Sequence, residues 1–218
     1  MKIGVFDSGI GGTTVLAEIK KLLPNEEYRY IADSKNCPYG EKSDQELERI
    51  VTKNVDELKN WGAKIIVIAC NTATTRCIDY LRQKYPELTF IGTEPAIKLA
   101  TNTDAKSILV LATPGTIASE RTKSLLEENQ KPGQKITLLA CPGLADTIEK
   151  CYQDDHTPIR DKLAELLTNA PKSPDIIVLG CTHYSLIKDE IQTLFPSSKL
   201  IDGNLGVAHR VEAKLHQP

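Results

Sequence analysis

The chain has 218 residues, 40% hydrophobic and 26% charged, an ordinary balance for a globular protein that excludes a disordered or fibrous class. Its 27 Lys and Arg against 29 Asp and Glu leave a net charge of −2, without the basic excess that phosphate-backbone binding calls for, so nucleic acid is excluded as a main partner. The apolar start, Ile3 to Phe6, reaches Asp7 at once and no run approaches the roughly 18 apolar residues of a membrane span, so the expectation is a cytoplasmic protein with no membrane partner.

Short β-branched runs alternate with longer amphipathic segments. KIGVF at 2–6 leads through DSGIGG into a helix over 13–23. YRYIA at 28–32 is followed by the loop KNCPYG and a helix over 44–61, and KIIVIA at 64–69 by a helix over 72–85. Further strands are read at 88–92, 107–112, 135–140 and 175–180, with helices over 117–129, 159–169 and 184–195, because their apolar residues recur at spacings of three and four. Repeated βα units predict an α/β fold with mainly parallel sheets covered by helices.

The halves resemble each other. KIIVIACNTAT (64–74) and DIIVLGCTHYS (175–185) are both an apolar strand, a Cys-containing polar turn and a helix. Two similar α/β units facing one another would bring the carboxyl ends of their strands to one small-molecule cleft, where open α/β sheets bind ligands. The expected division is residues 1–95 plus 205–218 against residues 96–204, with hinges near Gly92 to Thr101 and Ile201 to Leu205 and a helix over 203–215 returning to the first unit.

The six cysteines, at 37, 70, 77, 141, 151 and 181, form no CxxC pair and no zinc-finger spacing with His, so no metal is expected. Cys37, Cys77, Cys141 and Cys151 read as packing residues. Cys70 and Cys181 stand apart because each follows a buried strand and precedes a helix, where free backbone N–H groups and the helix dipole are expected to favour thiolate. The alternative is that both merely fill tight turns. Against it, Asn71, Thr72, Thr182 and His183 crowd donors around the two sulfurs, a density that suits a carboxylate and an ammonium. His183, two positions from Cys181, is expected to raise its thiolate fraction or pass a proton. DSGIGG lacks the lysine of a phosphate loop; its use is to bring Asp7 and Ser8 to the sheet edge, Asp7 as partner to the Cys70 thiol, with glycines that let a ligand approach the backbone.

The strings DSGIGG, CPYG, ACNTAT, TEPA, ACP and GCTHY, in this order over nearly the whole chain, resemble the glutamate racemase branch of the aspartate/glutamate racemase family. The resemblance implies two α/β units related by pseudo-twofold symmetry with the active site in the cleft between them. It implies no cofactor, neither pyridoxal phosphate nor metal, and a two-base mechanism that supplies D-glutamate for peptidoglycan. Carried onto this sequence, Cys70 takes the α-proton of the D-isomer and Cys181 that of the L-isomer. Asp7 assists Cys70, while His183 assists Cys181 together with Glu149, seven residues beyond Pro142. Substrate binding falls to Ser8, Pro38, Tyr39, Gly40, Asn71, Thr72, Thr113, Thr116 and Thr182, and the resemblance admits a homodimer. CPGLADTIEK and Thr122 depart from the family's pattern, which keeps aspartate or dual specificity open. A thiol hydrolase using Cys181 and His183, and a non-catalytic binding relative, are the rival readings.

Overall fold

The computed structural model describes residues 1–215; positions 216–218, assigned above to the first unit, lie outside the described residues. The apolar runs form two four-stranded sheets, parallel throughout. In the first, β1 (Lys2–Asp7), β2 (Glu27–Ala32), β3 (Ile65–Ile68) and β4 (Thr89–Gly92) lie in the order β2-β1-β3-β4. In the second, β5 (Ser107–Ala112), β6 (Lys135–Ala140), β7 (Ile176–Gly180) and β8 (Lys199–Ile201) lie in the order β6-β5-β7-β8. Each unit therefore arranges its own four strands as second, first, third, fourth, which is the duplication in three dimensions.

The central strands β3 and β7 are buried at every residue, as a parallel sheet covered on both faces requires. Successive side chains alternate between faces. On one face of the first sheet Ile3, Val5 and Val67 pack with Val15 and Ile19 of α1 (Thr13–Leu22) and Val207, Ala208 and Val211 of α10 (Asn204–Leu215). Phe6, Ile66 and Ile68 pack on the other face against α2 (Asp44–Asn60) and α3 (Asn71–Lys84). In the second sheet Leu109, Leu111, Ile177 and Leu179 meet α7 (Leu144–Cys151), α8 (Thr157–Leu166) and α9 (Lys188–Leu194). Ile108, Val110 and Val178 meet α4 (Ile97–Thr101), with Leu125 of α6 (Glu120–Asn129) partly buried alongside. Each sheet thus carries its own pair of apolar cores.

Two helices differ from the periodicity. The stretch 117–129 is broken at Ser119, whose extended backbone ends α5 (Pro114–Ala118) and whose hydroxyl accepts from the Thr122 amide to start α6; a serine cap competes successfully with helix continuation. The stretch 184–195 begins as a 3₁₀ turn, Thr182–Ile187, before α9. Strand β8 and helices α4 and α7 add to the elements expected above. Among the described residues no helix is long and apolar enough to cross a membrane.

Candidate active site

Strand register brings the motif residues together. Phe6 of β1 pairs with Ile68 of β3, and the Ala69 amide donates to the Phe6 carbonyl at 2.9 Å, so Asp7 and Cys70 emerge side by side from adjacent strands. In the second sheet Ala112 pairs with Gly180, and Thr113 and Cys181 emerge in the equivalent places. Asp7, Ser8, Cys70, Asn71, Thr72, Thr113, Thr116, Cys181, Thr182 and His183 are all buried.

The two cysteine turns are not equivalent, contrary to expectation. Cys70 caps α3: its sulfur accepts from the Ala73 amide at 3.5 Å and lies 3.8 Å from the Ser8 hydroxyl. Cys181 opens the 3₁₀ turn with no side-chain cap, its sulfur 3.9 Å from His183 Nδ1. The expectation that both turns favour thiolate is likewise overturned. Burial, followed by the negative charge of Asp7, pushes the Cys70 thiol up to about 12 against the opposing Ala73 amide. Burial, a Cys70 thiolate and Asp7 push Cys181 well above its ordinary value. A few backbone donors do not offset removal from water.

Polar contacts around Asp7 and around Glu149 join one unit to the other. Asp7 Oδ2 accepts from the Gly12 amide at 2.8 Å, and the Thr182 hydroxyl approaches the same carboxylate at 3.3 Å. Burial raises the pKa of Asp7, outweighing the charge of His183 and the amides of Gly12, Ser8 and Gly9. On the other side, His183 Nε2 lies 2.7 Å from Glu149 Oε2, which also accepts from the Ile10 amide at 2.8 Å, while Glu149 Oε1 accepts from the Ser34 hydroxyl. Burial pushes Glu149 up, but the hydrogen bonds from His183, Ser34 and Ile10 outweigh it and hold its carboxyl below the ordinary value.

The glycines of DSGIGG serve this seam. A Cβ on Gly9 would overlap the Glu149 carboxylate, and one on Gly11 would lie 2.5 Å from the His183 backbone nitrogen. What approaches the backbone at Gly9 and Gly11 is the second unit itself.

Thr72, Thr113 and Thr116 form a triangle of hydroxyls with sides of 2.8, 3.1 and 3.0 Å, joining α3 to the second unit. Pro38 follows a cis peptide bond and is half-buried. Tyr39 is buried, its hydroxyl donating to Asp33 at 2.6 Å and accepting from Asn54 at 3.0 Å, so that group is already engaged. Gly40 lies against Thr113. The sequence carried no signal for Ser34, whose partner is 115 residues away. Cys37, read as packing, has its sulfur within 4.8 Å of ligand atoms of both Glu149 and His183; only the fold makes these three neighbours.

The aspartate/glutamate/hydantoin racemase family model matches residues 3–210. The chain belongs to this family. It is 41% identical over 219 residues to the glutamate racemase of Clostridium acetobutylicum, covering 98% of this chain and 83% of that protein. The crystal structure of Escherichia coli glutamate racemase in complex with L-glutamate and the activator UDP-MurNAc-Ala superposes with a TM-score of 0.89 at 33% identity, covering 99% of this chain and 82% of that one. Francisella tularensis glutamate racemase in complex with D-glutamate gives 0.82 at 30% identity, covering 98% and 80%.

Proposed function

We propose that this racemase interconverts L- and D-glutamate with Cys70 and Cys181 as the two bases, and without a cofactor. The observation that carries the reading is the pair of buried thiols at equivalent strand ends of the two units, each beside its own proton-handling group. Inversion needs a proton removed from one face of Cα and another delivered to the opposite face. A single side chain reaches only one face, so opposed groups held in a closed cleft answer the geometry.

In the free site both thiols are held protonated by burial and by Asp7. A bound amino acid brings an α-ammonium, whose positive charge favours thiolate nearby. For the L-isomer, Cys181 passes its proton toward His183. With Nε2–H donated to Glu149, Nδ1 holds the lone pair that faces the Cys181 sulfur. The Cys181 thiolate then takes the α-proton as Cys70 gives its own to the opposite face. For the D-isomer the roles reverse, with Asp7 assisting Cys70. Donors on the α-carboxylate stabilise the carbanionic transition state; Ser8, Asn71, Thr72, Thr113, Thr116 and Thr182 supply them, with Pro38, Tyr39 and Gly40 shaping the wall.

The same reading divides the chain into 1–95 plus 205–218 and 96–204. It is supported by α10 packing on the first sheet and α4 on the second. The product would feed peptidoglycan synthesis in the bacterial cytoplasm.

The test is incubation with L-glutamate, and separately with L-aspartate, in deuterated water. Expected for glutamate are α-deuterium incorporation and loss of optical rotation. Cys70→Ser or Cys181→Ser should lower inversion by about 10²-fold or more with the fold retained by circular dichroism. Inversion that survives either substitution would remove the two-base reading, and turnover of aspartate alone would change the substrate.

A further inference from the structure

We propose that Cys37, Glu149 and His183 form a binding site for a divalent zinc-like cation, and that its occupation shuts off racemisation. The three side chains come from the loop after β2, from α7 and from the turn after β7, and one ligand atom of each lies within 4.8 Å of the others. Local spacing of cysteines and histidines excludes a zinc motif in the sequence; the fold assembles these donors from distant positions instead.

The donor set identifies the metal class. A thiolate, an imidazole nitrogen and a carboxylate oxygen are the ligands of zinc, whereas magnesium and calcium take oxygen alone. Three protein ligands leave a fourth position for water, the arrangement of open zinc sites. The carboxylate is already oriented by the Ile10 amide and the Ser34 hydroxyl, and the far ring nitrogen of His183 faces the Cys181 sulfur; such outer contacts keep ligands aimed before metal arrives. Cys37 is half-buried and Glu149 is partly accessible, so solvent reaches the cluster, while His183 closes its inner side.

Binding takes Cys37 as thiolate, its proton going to solvent, with no change of oxidation state. A metal on His183 Nε2 would leave the ring proton on Nδ1, facing the Cys181 sulfur, so the ring could no longer accept from that thiol. The binding claim stands on the three side chains alone, and only the inhibition rests on the function proposed above.

The full chain is titrated with Zn²⁺ by calorimetry and with Co²⁺ by absorption, for wild type, Cys37→Ser and a Cys151→Ser control. Expected are one Zn²⁺ per chain, no competition by Mg²⁺, and a Co²⁺–thiolate charge-transfer band that Cys151→Ser keeps and Cys37→Ser loses. Glu149→Gln, read by calorimetry only, should bind Zn²⁺ about tenfold or more weakly. Cys37→Ser should keep the metal-free rate yet need about tenfold or more Zn²⁺ for half-inhibition. An unchanged Co²⁺ band in folded Cys37→Ser would overturn the site by placing the metal on another thiol. Stoichiometric binding without inhibition would overturn the shut-off. If glutamate is not racemised, calorimetry and absorption still decide the binding site.

Discussion

Asp7 is fully buried beside Cys70 at the strand ends, and burial raises its pKa above the ordinary carboxylate value. The folded state therefore holds the carboxyl proton more tightly than the unfolded chain. That stabilising contribution is complete at pH below the unfolded value and is lost as pH rises through the folded one. Above the unfolded value, the raised proton affinity of Asp7 therefore works against folding. Asp7→Asn, which can still accept from the Gly12 amide, is expected to melt higher than wild type at neutral pH, with the gap closing as the solution is acidified. Racemisation should fall by about 10²-fold or more. Thermal unfolding followed across pH, with rates measured in parallel, checks both; a variant that melts lower at neutral pH would show that the carboxylate holds the turn together. At this scale the placement of Asp7, Cys70 and Cys181 at strand ends is legible in the sequence, because each follows an apolar run. Their proton affinities are not, since those depend on water exclusion by elements far along the chain.

The strand ends are positioned by elements that the alternation of apolar runs reveals, and the matched turns ACNTAT and GCTHY mark them. Helix breaks are harder to read. Ser119 lies inside a helical pattern, and nothing in its spacing says that its hydroxyl caps α6. Removing that cap in Ser119→Ala is expected to cost about 1 kcal/mol, read as a lower urea midpoint with an unchanged denaturant slope and unchanged racemisation, because Ser119 lies outside the proposed machinery. A changed slope would mean that the break also governs how compact the unfolded chain is. Glu149 was reachable only by resemblance: α7 carries it to His183, 34 residues ahead in sequence, and no periodicity encodes that meeting.

Across the whole molecule, apolar packing is divided into separate cores on each sheet, while the seam at the strand ends carries polar contacts: Asp7 with Thr182, Glu149 with Ile10 and Ser34, and the threonine triangle. Opening the seam would cost these hydrogen bonds and leave the cores intact. Amide exchange is therefore expected to be fast at Ile10, slow in β3 and β7, and slower at the seam once glutamate is added. Mass-spectrometric exchange with and without glutamate checks this, and equal protection of seam and strands would mean one cooperative body. The triangle has a consequence of its own. Three hydroxyls with three mutual contacts, each able to donate once, can circulate clockwise or anticlockwise at nearly the same energy. An acceptor arriving at any corner breaks the circle into a relay with every dipole aimed at the newcomer, each bond reinforcing the next. Because one corner belongs to α3 and two to the opposite lobe, an anion held there would read the closure of both halves at once.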